Sequence, residues 1–317
     1  MVTYAACYPG QGAQKPGMAL DLYDQSERVR NLFALASELC RKDLYALLAD
    51  SDEHLLQQTE NTQLAVTLAN RSVTLVLQEH GIHLGCHAGF SLGELSAYVA
   101  SGVLTDEELF AVVAKRGKLM AEATETAVKE YGELGMAAVV GIGFEEVAQV
   151  LETGGTDRLF CANDNGPKQV VVSGTASEIS RYTDAMKVAG ARRIIPLRVS
   201  GPFHTPFMAE AEAEFAEFLS GITFSNPKDL LYANVTGSLV SAGEEIRGLC
   251  SRQLSSPVRW TKIMRSIAEG QGFEHAVESG PGTVLTGLWR SGGFGVACKS
   301  MGTFEEIQKL AEEQYDD

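Results

Sequence analysis

The sequence predicts an α/β protein of two units, a larger one built on a parallel sheet and a smaller one inserted into it. Two observations carry this reading. Around residues 84–103 an apolar run of strand length ends in a Gly-rich turn and leads into apolar residues at helical spacing, Leu95, Val99 and Val103, which is the grammar of a parallel sheet. Between about Val128 and Arg198 the elements become shorter and follow a different order. With 317 residues, 45% of them hydrophobic and 21% charged, the chain is long enough for one large domain and a smaller companion.

Taken in order, Val2 to Tyr8 is apolar enough for a buried strand and runs into the Gly-rich loop Pro9-Gly10-Gln11-Gly12-Ala13-Gln14. No Lys-Ser or Lys-Thr follows, so a phosphate loop is poorly supported, but the loop offers backbone amides beside a strand end, where α/β proteins place ligands. Leu20 to Leu77 reads as helical, with a long helix starting at Asn61-Thr62-Gln63. Leu84 to Ala88 is a strand, followed by a turn at Ser91 and a helix ending near Gly102. Thr105-Asp106-Glu107-Glu108 has the look of an N-cap with an acidic first turn, opening a helix from Leu109 to about Thr124 that carries Arg116. The inserted stretch then reads Gly135 to Gly141 strand, Phe144 to Leu151 helix, Leu159 to Asn163 strand, a turn at Asn163 to Pro167, Gln169 to Ser173 strand, Ala176 to Ala189 helix and Arg192 to Leu197 strand. That β-α-β-β-α-β order is ferredoxin-like. The expected boundaries are 1–127 and 199–317 for the large unit and 128–198 for the small one. Downstream come a helix from Ala209 to Leu219, a strand from Leu230 to Asn234, a helix reaching Leu254, a helix from Trp260 to Ala268, a strand from His275 to Glu278, a helix through Leu288 and an amphipathic C-terminal helix.

Composition narrows the function. A formal net charge of −15 argues against a nucleic-acid or anionic-membrane surface, either of which needs a basic face. The six cysteines are scattered without a Cys-x-x-Cys pair, so neither a zinc site nor a disulfide framework is suggested. No segment reaches the roughly 18 uninterrupted apolar residues of a membrane span, and Met1 to Tyr8 lacks the form of a signal peptide. The expectation is a cytoplasmic protein that uses no metal or cofactor.

The chemistry centres on Gly89-Phe90-Ser91-Leu92-Gly93, a Gly-x-Ser-x-Gly run. Where a strand reverses sharply into a helix, glycines let the turn close, and the serine hydroxyl emerges at a helix N-terminus where amides and the macrodipole favour negative charge. On these residues alone two readings stand level: Ser91 as nucleophile, or Ser91 as an ordinary helix cap. Of the histidines, His204 has the best setting, its backbone stiffened by Pro202 and Pro206; by itself it fits a structural role better than a catalytic one. Arg116 alone suits a solvent-exposed helix face, and Gln63 alone suits surface filler.

Six stretches change the weighing because they occur together and in order: Tyr8 to Gln14, Gly89 to Glu94, Lys115 to Met120, Asn163 to Gly174, Ser200 to Thr205 and Gln253 to Trp260. With them, the chain resembles the malonyl-CoA:acyl-carrier-protein transacylases over nearly its whole length. The resemblance implies a large α/β-hydrolase-like domain with the ferredoxin-like one inserted, a monomer, and two partners, malonyl-CoA as substrate and an acyl carrier protein as acceptor. It implies Ser91 as acyl nucleophile, His204 as general base, and Gln11 with the Leu92 backbone as oxyanion hole. Arg116 would hold the malonyl carboxylate, Gln63 would stand on the substrate side, Asn163 and Asn165 near the coenzyme, and the Gln253 carbonyl would orient the histidine in place of a triad acid. Phe203 would fill the space beside C2 of the acyl group and favour malonyl over methylmalonyl. One departure is Phe90, where the family commonly has histidine; it removes a polar group from beside the pocket. The competing activity is an acyl-thioester hydrolase that edits carrier-bound groups. An acidic carrier docking on an acidic chain would need a local basic surface, for which Lys187, Arg192, Arg193, Arg252 and Lys262 are the candidates.

Overall fold

The computed structural model describes residues 2–197, 201–270 and 273–316, with the side chains of Tyr315 and Asp316 outside the description. Strand β1 (Thr3–Tyr8) is followed by helices α1 (Leu20–Gln25), α2 (Glu27–Cys40), α3 (Leu44–Ala49), α4 (Glu53–Gln57) and α5 (Thr59–Glu79), then β2 (His83–Gly89), α6 (Gly93–Ala100) and α7 (Asp106–Tyr131). The inserted part runs β3 (Leu134–Val140), α8 (Phe144–Gly154), β4 (Leu159–Gly166), β5 (Gln169–Thr175), α9 (Ala176–Val188) and β6 (Arg193–Pro196). The chain returns through α10 (Ala209–Leu219), β7 (Leu230–Ala233), β8 (Ser238–Val240), α11 (Gly243–Arg252), α12 (Trp260–Gly270), β9 (His275–Glu278), α13 (Val284–Gly292), β10 (Ala297–Ser300) and α14 (Phe304–Asp316).

The protein is a mixed α/β fold with two separate sheets. The first has the order β10-β9-β1-β2-β7-β8 and is parallel except for the β7–β8 pair. Its central strand β1 is buried at every position after Thr3 because both faces are covered. Tyr4, Ala6 and Tyr8 pack with the core of α2, α5, α6 and α7, whereas Ala5 and Cys7 pack with Trp260, Ile263 and Trp289 from α12 and α13. The strands β1, β2 and β7 run side by side in register, so the loop after Tyr8, the turn after Gly89 and the residue after Ala233 meet at one sheet edge. A site at the carboxyl ends of parallel strands follows from that alignment.

The second sheet is antiparallel, in the order β4-β5-β3-β6. The alternation of β3 explains its place: Ala137 and Val139 pack with Val147, Leu151, Tyr182 and Met186 of α8 and α9, while Met136 and Ala138 join the core of the larger unit. A short splice ties the sheet to that unit at β4, since Val258 N–H donates to Ala162 O at 2.9 Å and Asp164 N–H donates to Val258 O at 2.8 Å.

Several local expectations change. Thr105 does cap α7, with a reciprocal capping box to Glu108, but the helix continues to Tyr131 instead of stopping near Thr124. Asn163 to Gly166 is strand and not turn, because β4 is paired on one side with β5 and on the other with Val258; the turn is confined to Pro167 and Lys168. The short strands β8 and β10 were not foreseen. Each exists by pairing with a longer neighbour, β7 or β9, and three or four residues carry too little pattern to announce it. Arg198, Val199 and Ser200, which open the Ser-Gly-Pro-Phe-His stretch, lie outside the described residues. Among the described residues no helix is long and apolar enough to cross a membrane.

Candidate active site

The turn after β2 places Ser91 in a left-handed conformation, φ +50°, which costs a residue with a Cβ about 1–2 kcal/mol. Close packing enforces it. A Cβ on Gly89 would stand 2.0 Å from Glu94 N, and one on Gly93 would stand 2.0 Å from Tyr8 O, so backbone meets backbone where the two glycines sit. Phe90 N–H donates to Tyr8 O at 2.9 Å and Gly93 N–H to Phe90 O at 3.0 Å, which closes the turn against β1. The hydroxyl is thereby lifted to the N-terminal side of α6.

His204 meets it. Its Nε2 lies 2.7 Å from Ser91 Oγ, and its Nδ1 lies 2.8 Å from Gln253 O. A carbonyl can only accept, so Nδ1 carries the hydrogen and Nε2 is left free to take the serine proton. The ring is 5% exposed. Burial, followed by the nearby Arg116 charge, pulls its pKa down to about 4, which keeps it a neutral base at ordinary pH. Like Ser91, His204 has a left-handed backbone, φ +61°, and its N–H is anchored on Leu254 O at 3.0 Å.

Arg116, expected on its own pattern to face water, is buried at 1% exposure. Its Nη1 donates to Gln63 Oε1 at 2.7 Å and its Nη2 to Gln253 Oε1 at 2.8 Å, with Ser91 Oγ 3.4 Å from Nη2. Burial pushes its pKa down to about 10, still leaving it cationic near neutrality. Among the described residues the guanidinium is thus held by two amide oxygens and not by a carboxylate. A buried cation without a counter-ion in contact is costly, and an anionic ligand at the nucleophile would offset that cost. Gly117 lets α7 approach α5 closely enough for the Gln63 contact: a Cβ there would lie 3.2 Å from Gln63 Cγ and 3.3 Å from Glu60 Cα.

A cleft of about 500 Å³ between the two sheets opens onto these groups. Gln11, Gln63, Phe90, Ser91, Phe203 and His204 line it from the larger unit, and Met136, Ala138, Asn163, Asn165 and Val171 from the smaller one. The Gly-rich loop lies against the amide after the nucleophile, since a Cβ on Gly10 would come within 3.5 Å of Leu92 N. Phe90 packs edge-on against Trp260, with centroids 5.5 Å apart. Asn165 is buried and its Oδ1 has no hydrogen-bond partner among the described residues, so it presents an acceptor to whatever fills the cleft. The candidate catalytic and substrate-side residues therefore gather at one place.

Two residues of the site escaped the sequence reading. Asn234, directly after β7, accepts from Ser91 N–H at 2.7 Å and donates to Gly89 O at 2.6 Å. Glu94, in the first turn of α6, accepts from Asn234 N–H at 3.2 Å and from the Gln253 side chain. Its burial raises its pKa to about 7. The available signal was an Asn at the end of a strand neighbouring the one that delivers the serine. Gln253 was assigned only its carbonyl, yet its side chain also donates to Ser91 O at 3.0 Å. Of the proposed basic surface, all five residues are exposed. Lys187 lies in the last turn of α9, paired to Asp184, with Arg192 just before β6 and Arg193 at its start, whereas Arg252 and Lys262 lie on α11 and α12 of the larger unit.

The chain is similar to known proteins over most of its length. The model of the acyl transferase domain family matches residues 6–295. A malonyl CoA-acyl carrier protein transacylase of Escherichia coli O157:H7 is 37% identical over 290 residues, covering 91% of this chain and 92% of that protein. The structure of an acyl carrier protein S-malonyltransferase from Vibrio cholerae superposes with a TM-score of 0.90 at 34% identity, covering 97% of this chain and 99% of the other. A malonyl-transacylase solved in complex with its type II PKS acyl-carrier protein gives a TM-score of 0.91 at 34% identity, over 99% and 100% of the two chains. By motif, by site geometry and by likeness over almost its full length, the chain belongs to the acyl transferase family.

Proposed function

We propose that this acyltransferase moves the malonyl group from malonyl-CoA to the phosphopantetheine thiol of an acyl carrier protein through a seryl ester on Ser91. The observation that carries the reading is a nucleophile and base 2.7 Å apart with a buried, carboxylate-free Arg116 facing the same serine at 3.4 Å. In the first half-reaction Ser91 Oγ attacks the thioester carbon while His204 Nε2 takes its proton. The oxyanion is met by the Leu92 amide and Gln11. When the C–S bond breaks, the proton passes from His204 to the departing CoA sulfur. In the second half the carrier thiol gives its proton to His204, its sulfur attacks the ester, and Ser91 leaves with the proton returned. Arg116, oriented by Gln63 and Gln253, holds the distal carboxylate in a forked pair. Asn163 and Asn165 offer amide groups to the pantetheine arm, and Phe203 limits the space beside C2, which selects malonyl over methylmalonyl. Both half-reactions are complete without metal or redox chemistry.

Editing hydrolysis of neutral acyl groups is the weaker reading, because such an enzyme has no use for a buried cation beside its nucleophile. We further read the larger unit, 1–127 and 199–317, as α/β-hydrolase-like and the insertion, 128–198, as ferredoxin-like; the inserted strand order β4-β5-β3-β6 supports the latter. The test of the function is product analysis: with malonyl-CoA and holo carrier, CoA and malonyl-carrier are expected to accumulate one for one, and carrier lacking phosphopantetheine to accept nothing. Free malonate as the main product would overturn the reading.

Two expectations arise from the electrostatics. A base with its pKa depressed from 6.5 to about 4 stays neutral as pH falls between those values. Reaction of Ser91 with a sulfonyl fluoride, which brings no carboxylate of its own, should therefore lose nothing to His204 protonation above about pH 5 and show that loss only below it. In Arg116→Ala the decline should move upward, since one cause of the depression is removed; a wild-type midpoint near 6.5 would contradict this. Second, if the acidic carrier docks through Lys187, Arg192, Arg193, Arg252 and Lys262, its KM rises with salt while that for malonyl-CoA changes less. Charge reversal at several of these positions with unchanged carrier kinetics would discard the surface.

A further inference from the structure

We propose that Asn234 is a positioning residue for acyl transfer, clamping the strained turn that presents Ser91 while Glu94 fixes the clamp; the proposal rests on the reading of Ser91 as nucleophile. Asn234 is fully buried and does not line the cleft, so it acts through the turn and not on substrate. Its side-chain amide spans the nucleophile turn, Oδ1 accepting from Ser91 N–H at 2.7 Å and Nδ2 donating to Gly89 O at 2.6 Å. Its main chain is equally engaged, with N–H donating to Glu94 Oε1 at 3.2 Å and O accepting from Arg259 N–H at 2.9 Å. Every polar group of the residue has a partner, so its rotamer and amide orientation are determined.

The clamp reaches the rest of the site through one carboxyl group. The second oxygen of Glu94 accepts from the Gln253 side chain, whose nitrogen also donates to Ser91 O at 3.0 Å. Gln253 in turn accepts from Arg116 through its side chain and from His204 through its carbonyl. Asn234, Glu94 and Gln253 therefore form one buried frame touching the nucleophile on both its N–H and its C=O, as well as the base and the cation. One consequence concerns the oxyanion. Because Ser91 N–H is taken by Asn234, the amide left at the turn for a developing negative charge is that of Leu92.

An amide is required because one end of the group faces an N–H and the other a carbonyl. An aspartate at 234 has the right shape but two acceptors, one of them set against Gly89 O; protonation turns that oxygen into a donor and restores the match. Three variants test this: Asn234→Asp, Asn234→Ala and Glu94→Gln, the last of which keeps shape but turns an amide nitrogen toward a donor. For each, kcat and KM for malonyl-CoA are measured together with the rate of Ser91 modification by a sulfonyl fluoride, and folding is checked by circular dichroism. The Asn234 variants are expected to lose about 10²-fold in kcat and in fluoride reactivity with KM little changed, and Glu94→Gln roughly tenfold. Glu94, which faces Asn234 and has its pKa raised by burial to about 7, titrates in both proteins, so the readout is the ratio of variant to wild-type rate at each pH: for Asn234→Asp that ratio should rise as pH falls from about 7 to 5.5. Wild-type rates in folded Asn234 variants, a loss confined to KM, or an Asn234→Asp defect indifferent to pH would each overturn the proposal. If Ala at 234 prevents folding, the isosteric Asp variant carries the test. Should wild type react with the fluoride but never accept malonyl, the proposed function fails while the clamp is still decided by the fluoride rates.

Discussion

Replacing Ser91 with alanine removes the ester-forming oxygen, and malonyl transfer is expected to fall by roughly 10⁴- to 10⁶-fold, with no covalent malonyl on the protein. His204→Ala should come close to the same loss, since a serine hydroxyl without a base 2.7 Å away is a poor nucleophile. The two act as a unit, so the double variant should be no worse than either alone. Both proteins should fold, because neither side chain supports the core: each lies at the cleft. Single-turnover assays with mass analysis check this. A Ser91→Ala protein that still becomes malonylated would place the nucleophile elsewhere.

Arg116→Ala is expected to separate malonyl from acetyl. Malonyl carries one extra carboxylate, and losing its forked partner should reduce malonyl kcat/KM by about 2–4 kcal/mol of transition-state binding, some 30- to 800-fold. Acetyl transfer should hold level or rise, since an uncharged acyl group gains nothing from a desolvated cation beside the nucleophile. Lysine at this position should recover only part of the malonyl rate. A point charge can neither bind the carboxylate as a fork nor reach both Gln63 and Gln253, which Arg116 bridges through Nη1 and Nη2. An unchanged malonyl-to-acetyl ratio of kcat/KM in Arg116→Ala would remove the basis for the specificity.

The strand, turn and helix around Ser91 could be read from the sequence because local sterics dictate them: Gly89 and Gly93 stand where a Cβ would collide with backbone. The small sheet was largely legible in its order, since β3, β4, β5 and the two helices are each long enough to show their own periodicity. What could not be read is whatever arises only from packing. Arg116 sits on a helix whose pattern allows water or core, and only the approach of α5, through Gln63, turns it inward. Asn234 and Glu94 lie 140 residues apart and meet through sheet pairing, so nothing local to either marks them. The edge strands β8 and β10 are products of their neighbours in the same way. His204 belongs to both classes: its prolines are local, but its partner Ser91 is 113 residues away, and the ordered motifs, not the residue itself, picked it out.

The central claim is that Ser91 carries the malonyl group between two thiols. The most direct measurement isolates the protein after brief exposure to radiolabelled malonyl-CoA, maps the label to a peptide, and then adds holo carrier in the absence of malonyl-CoA. The account predicts one label per chain, on the peptide containing Ser91, that survives isolation and moves to the carrier with no malonate released. Label that never accumulates on the protein, or that leaves as malonate at the same rate with or without carrier, would contradict it.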